Sequence, residues 1–485
     1  MLGFAAVWLS LLTHDSLSPP VDNIEQLTWV RALQWGYFKH PPLPTWLVWG
    51  PTQLFGLTAW TTYLLGAALT LGALGVLWRL LKRMRGETYA TAALLATLCI
   101  TYYNGRLYYY NHNVVLMFAA TASVALYWRA YTTREWRWWV GLGVALGLGA
   151  LSKYQIAVTV LTLLAFALRC RAWRDPGHVR GLALAGATAA LIFSPHVAWL
   201  VSHDFEPLHY AMNTSLGAHI DRFARVVESV RWLADQLLNR AALALILLWL
   251  TARVIRRGDR ASAAADAAAA HGDSPAERAA AAPAPARDDA RALLLLAGAV
   301  PLAFTFALGL LTGADLQLQW GTAFLLFVVP AVMELAPAGF WRRVDLRRMF
   351  VAFAVIQSLL IIQNHLASPH SPVAALRDHH WRTFDSQALA QQVAPAARAA
   401  LGGPIRVIVG NTGEAGSVSL RLPEHPLVLI DGNYAASPWL SPQRVAQCGA
   451  LVLDVARGLP GEHPLGPPFV GRAWHVVPPQ GGGCN

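Results

Sequence analysis

Between Asp22 and Trp46 the chain reads DNIEQLTWVRALQWGYFKHPPLPTW, a stretch that gathers two acids, a Lys-His pair and a Pro-Pro turn between apolar runs. Asp22 and Glu25 stand three apart and share a face if the stretch is helical. An acid there can take a proton from a hydroxyl or orient it, so both are candidate catalytic groups. The same spacing suits a helix cap, with Asp22 as N-cap after Pro19-Pro20 and Glu25 reaching back, and the two roles are compatible. Lys39 and His40 precede the rigid Pro41-Pro42, and with Arg106 and Lys153 they can offset the charge of a phosphate. Plainer roles exist for the two lysines. Lys39 can meet anionic headgroups, and Lys153 can snorkel from the end of the Gly-rich run GLGVALGLGALSKYQ. Tyr37, with Phe38, can anchor the loop among headgroups, while Asn111, Asn113, His203 and Asp204 are polar residues able to support an acceptor.

The elements that must position these residues are mostly apolar. The 485-residue chain is 55% hydrophobic and 13% charged, against roughly 25% charged in soluble domains, and its mean hydropathy is +0.39. A mainly α, polytopic membrane protein follows. Apolar runs lie near 2–13, 58–78, 88–102, 113–128, 138–152, 155–168, 181–201, 232–252, 292–312, 320–336 and 349–364, which predicts about eleven transmembrane helices. The first run lacks a charged flank and a cleavage site, so it is expected to be a retained helix. Lys and Arg cluster in every second loop: at Arg79–Arg85, Arg129–Arg137, Arg169–Arg180, Arg253–Arg260 and Arg342–Arg348. The positive-inside rule makes these loops cytoplasmic and sets all the candidate residues on the outer side, facing the periplasm if the membrane is a bacterial inner membrane. The same clustering accounts for the net charge of +11. With no nucleic-acid motif present, a nucleic-acid partner is excluded from this reading.

Residues 1–365 form the expected transmembrane domain, interrupted at 261–290 by an Ala-rich stretch predicted to be a disordered cytoplasmic linker. After 365 the short runs IRVIVG, LVLIDG and ALVLDV predict a small periplasmic α/β domain over 366–485. The loop GNTGEAG is a plain strand-to-helix turn in preference to a nucleotide site. In an oxidising periplasm Cys448 and Cys484 are expected to pair. His196 and His203-Asp204 form a weak metal set, so no cofactor is certain and a divalent metal stays open.

The run from Asp22 to Gly36-Tyr37-Phe38-Lys39-His40-Pro41-Pro42-Leu43 resembles the first periplasmic loop of the bacterial family 39-like glycosyltransferases. These belong to the C-type superfamily with the lipid A aminoarabinose transferases and protein mannosyltransferases. YYYNHNVVLMF, GALSKYQ and SPHVAWLVSHDFEPLHYA add to the resemblance, which covers roughly residues 1–365. It implies transfer of a sugar from a polyprenyl-phosphate donor to a lipid A, glycolipid or protein acceptor at the outer face. It also implies Asp22 as the base or acceptor-orienting acid, with Lys39 and His40 near the donor phosphate. Two departures stand out: the usual Asp-Glu pair is Asp22-Asn23 here, and the second-loop acid is Asn113. A transporter or flippase is the rival reading, opposed by the lack of an internal repeat. A ligase acting on a diphosphate-linked glycan is a second, favoured only by Arg222, Arg225 and Arg231.

Overall fold

Apolar runs closed by basic residues become helices along most of the first three quarters of the chain. The computed structural model describes residues 1–217, 220–269, 284–378, 381–455, 462–481 and 484. The helices are α1 Leu2–His14, α2 Val21–Trp29, α3 Leu43–Phe55, α4 Ala59–Arg85, α5 Glu87–Thr97, α6 His112–Thr133, α7 Trp136–Ser152, α8 Ile156–Arg169 and α9 Pro176–Ser202. They continue as α10 Glu206–Ala211, α11 Arg222–Ala234, α12 Ala242–Ala269, α13 Ala284–Thr312, α14 Val328–Met333 and α15 Leu346–Leu366. Among the described residues five are long and apolar enough to cross a membrane: α4, α6, α9, α13 and α15. The bent pair Arg222–Arg240 and Ala242–Asp259, meeting at 55°, makes up to six.

This is fewer than the eleven spans expected, and two runs show why. The run near 88–102 yields only the 11-residue α5, whose Ala90, Ala92, Ala93 and Ala96 are fully buried. The run 320–336 is no single helix; it breaks into 3-10 turns at Leu318–Gly321 and Leu325–Phe327 before α14. Its Ala323, Leu325, Leu326 and Val329 are wholly buried. Hydropathy does not separate a residue facing lipid from one facing protein. The broken backbone is satisfied by side chains: Tyr102 and Gln236 donate to the Leu318 carbonyl, and Tyr103 donates to that of Thr322. Irregular backbone at such depth is tolerated only when protein groups meet its polar atoms.

The Gly-rich run works as close-packing surface. A Cβ at Gly143 would stand 2.5 Å from the Ala185 carbonyl oxygen, so α7 lies directly against α9. The linker expected at 261–290 is entered from both sides by α12 and α13, and 270–283 lie outside the described residues.

Beyond α15 come α16 Ser386–Leu401, α17 Thr412–Arg421 and α18 Pro442–Cys448, with strands β1 Val407–Gly410, β2 Leu427–Ile430, β3 Ala450–Val455, β4 His463–Pro464 and β5 Ala473–Val477. The strands form one sheet in the order β2-β1-β3-β5-β4. β1 runs parallel to β2 and β3, while β5 is antiparallel to β3 and β4. Asn411 caps α17 by accepting from the Glu414 amide at 2.9 Å, which makes GNTGEAG a strand-to-helix turn. Cys448 and Cys484 are joined in a disulfide with Cα atoms 4.6 Å apart.

Candidate active site

Helix α2 carries Asp22 in its first turn, and its start is set by Pro20, which takes the N-cap position. No side chain caps it, so the capping box expected from the Asp22–Glu25 spacing does not form. Asp22 is held instead from across the chain: its Oδ2 accepts a 2.7 Å hydrogen bond from Asn111 Nδ2. Asn111 Oδ1 in turn accepts from the Val114 amide at 3.0 Å and caps α6. With the oxygen used by the cap, the amide must present its NH2 to Asp22. Asn23, standing where the resembled enzymes have a second acid, is fully buried and joins three segments. Its Nδ2 donates to Thr62 Oγ1 and the Tyr108 carbonyl, and its Oδ1 accepts from the Tyr110 amide at 2.9 Å. A carboxylate could only accept, so the amide is what this position uses.

Residues 37–40 close a tight turn, with the Tyr37 amide donating to the His40 carbonyl and the reverse bond at 3.2 Å. Gly36 permits its approach to α9, since a Cβ there would meet the Trp199 ring at 2.2 Å. The turn points Lys39 onto Glu25, forming a close ion pair. Around the ammonium stand the rings of Trp29, Phe38 and Tyr210, 5.8 to 6.0 Å from it. Burial pushes Glu25 up to about 7 against the pull of Lys39. Burial pulls Lys39 down, but the Glu25 charge more than offsets this and leaves it above its usual value. Both shifts favour a proton held within the pair.

His40 stacks near His112, ring centres 3.9 Å apart. Burial first, then the neighbouring His112, Lys39 and Lys153, drives its pKa well below the ordinary histidine value. His40 is therefore neutral near pH 7 and would meet a phosphate by hydrogen bonding, not by charge. Lys153 donates to Asn113 Oδ1 at 2.7 Å. Burial lowers it to about 8, resisted by the charge of Asp22.

On its other side Asp22 borders an open cleft of ≈ 240 Å³ shared with Arg106, Tyr109, Asn111, Gln319 and Trp381. Tyr37 does not reach out to headgroups: it is 2% exposed and stacks on Trp29 with centres 4.6 Å apart. His203 and Asp204 are exposed at the end of α9, and His203 stacks on Trp199. His196 is no metal ligand, because Nδ1 donates to the Trp35 carbonyl and Nε2 accepts from Tyr154 at 2.8 Å. Among the described residues no group of three or more His, Cys, Asp or Glu is arranged to hold a metal ion.

The structure thus gathers Asp22, Glu25, Lys39, His40, Asn111, Asn113 and Lys153, with Arg106 on the cleft side. Sequence reasoning overlooked Trp381, which no local pattern marks, and gave no role to Tyr210 or His112, although they stand inside the singled-out runs SPHVAWLVSHDFEPLHYA and YYYNHNVVLMF. The arrangement offers a fixed carboxylate with lysines near it and an open cleft beside it, which suits a displacement that deprotonates a hydroxyl and releases an anion.

Residues 39–199 match the family described as dolichyl-phosphate-mannose-protein mannosyltransferase. Over 217 residues the chain is 27% identical to the lipid A galacturonosyltransferase RgtD of Rhizobium johnstonii, a match covering 42% of this chain. That match spans under half of the curated relative, 43% of its length. The fold follows that of ArnT from Cupriavidus metallidurans over 98% of this chain and 97% of that one. The TM-score is 0.59 at 18% identity for the form bound to undecaprenyl phosphate, and 0.61 at 16% for the apo form. By these matches the chain has the fold of ArnT, and over parts of its length it is similar to the mannosyltransferase family and to a lipid A galacturonosyltransferase.

Proposed function

We propose that the protein transfers a sugar from a polyprenyl-phosphate donor to a hydroxyl of lipid A, another glycolipid or a protein. The observation that carries this reading is Asp22, locked by Asn111 at the rim of an open cleft and within electrostatic reach of Lys39 and Lys153. Asp22 takes the proton of the acceptor hydroxyl, whose oxygen attacks the anomeric carbon. The bond from that carbon to the phosphate oxygen breaks, and the polyprenyl phosphate leaves with the electron pair. Attack from the side opposite the phosphate inverts the configuration. Lys153, with Lys39 behind it, offsets the charge on the leaving phosphate. Glu25, already paired, holds Lys39 and leaves Asp22 as the base. RgtD supports a lipid A acceptor and an acidic sugar, and the ArnT structure with undecaprenyl phosphate supports the carrier.

The finer topology belongs to this proposal. About eleven membrane segments, the short α5 and the broken run 320–336 among them, would leave the basic loops in the cytoplasm and the site in the periplasm, with residues 1–365 as the transferase part and 366–485 as a part packed over it. Supporting this, α4 ends in Lys82, Arg83 and Arg85, α6 is closed by Arg134 and α8 ends in Arg169, each at the far end of its helix from Thr62, Asn111 and the Lys153 turn that precedes α8. The test is transfer of labelled sugar from synthetic polyprenyl-phosphate donors by purified protein in lipid nanodiscs. Asp22→Asn is expected to lower the rate by about 100-fold or more with donor binding kept. Unchanged transfer in the folded variant would falsify the base assignment.

A further inference from the structure

Arg106 is the charged residue of the cleft to which the displacement gives no task. Its guanidinium lies over two rings, 5.6 Å from the centre of Tyr102 and 5.2 Å from that of Tyr109. Among the described residues it has neither an ion pair nor a side-chain hydrogen bond. Its neighbours in kind differ. Arg240, on the same Tyr102 ring, is paired to Asp235 at 3.1 Å. Arg85 grips both oxygens of Glu334, and Arg398 both oxygens of Glu424. A half-buried guanidinium, kept flat by aromatic rings and facing a cleft, is preorganised for a planar oxyanion that binds through two parallel bonds.

Position decides which anion. The cleft is bordered by Asp22 and Arg106 but by none of Lys39, His40 or Lys153. In an inverting displacement the phosphate departs from the side opposite the base, so an anion at Arg106 is not the leaving group. The rest of the cleft has the makings of a sugar site, with the Trp381 ring for a pyranose face and Gln319 and Thr322 for hydroxyls. We propose that Arg106 binds the carboxylate of the transferred sugar and makes the enzyme select a hexuronic acid donor. This rests on the transferase reading and deepens it by naming the donor class.

The experiment is direct binding, without acceptor, of undecaprenyl-phosphate hexuronate and the matched neutral hexose to protein in nanodiscs. Wild type is expected to bind the uronate at least about tenfold more tightly, the scale of a charge-assisted pair. Arg106→Gln should erase that preference and leave the neutral donor within about twofold, and Arg106→Lys should restore part of it. Equal weakening of both donors by Arg106→Gln, or no preference in wild type, overturns the proposal. An anion on the acceptor cannot create a donor preference in this assay. Loss of the preference in Arg106→Gln, with no sugar passed to any acceptor by wild type, would uphold the carboxylate site while sinking the transferase reading.

Discussion

At Asp22 the chemistry depends on one amide. Asn111 caps α6 with its oxygen and fixes the carboxylate with its nitrogen, so a helix terminus and the candidate base are set by the same side chain. The lysines are tuned differently by their surroundings. Lys39 is held charged by the ion pair with Glu25, whereas Lys153 is hydrogen-bonded to the Asn113 amide with only the more distant charge of Asp22 to support it, and burial brings it to about 8. A lysine with a lowered pKa gives up its proton as pH rises through that value. Transfer is therefore expected to fall above about pH 8 in wild type, and Lys153→Arg, charged throughout, should keep its rate there. A pH profile of both proteins checks this, and an identical alkaline limb would remove Lys153 from the phosphate site. Asp22, Lys39 and Lys153 were legible because charge beside apolar sequence is rare. The neutrality of His40 was not, since it comes from burial beside His112 and Lys153, which two other segments bring to the Lys39-His40 turn.

Helix α2 is only nine residues long, too short to persist alone. One side is bolted to the helical part through Asn23 and Leu27, and the other packs on α17 of the sheet region. A Cβ at Gly416 would stand 2.3 Å from Ile24, so the contact is as close as two helices allow. Further ties run from Arg421 to the Leu17 carbonyl and from Arg31 to that of His425. Trp29 and Tyr37 of the first loop sit in the same apolar cluster as β1 and β3. The sheet region thus completes the fold around Asp22. Gly416→Leu is expected to cost about 1–3 kcal/mol by overpacking and to lower kcat more than it raises KM. Gly403→Ala, with nothing near its Cβ, should do neither. Steady-state kinetics and thermal unfolding separate the two variants, and wild-type kcat in Gly416→Leu would refute the positioning role of α17. None of this contact was legible, because it joins residues nearly 400 apart.

For the whole molecule the testable matter is orientation. In a Cys170→Ser background, a membrane-impermeant maleimide added to intact cells with a permeable outer envelope should label Ala435→Cys and spare Arg347→Cys. Both positions are exposed, so the reverse pattern would invert the proposed topology. The sequence alone determined the membrane class, the alternation of basic loops and the first-loop residues, because transfer of charge and apolar surface between water and lipid acts residue by residue. Tertiary structure alone decided which apolar runs are buried in protein, that Glu25 holds Lys39, that Asn23 is a fastener, and that Arg106 and Trp381 share a cleft with Asp22. Those outcomes turn on partners distant in the chain, and pairing, packing and desolvation exist only once the fold has brought them together.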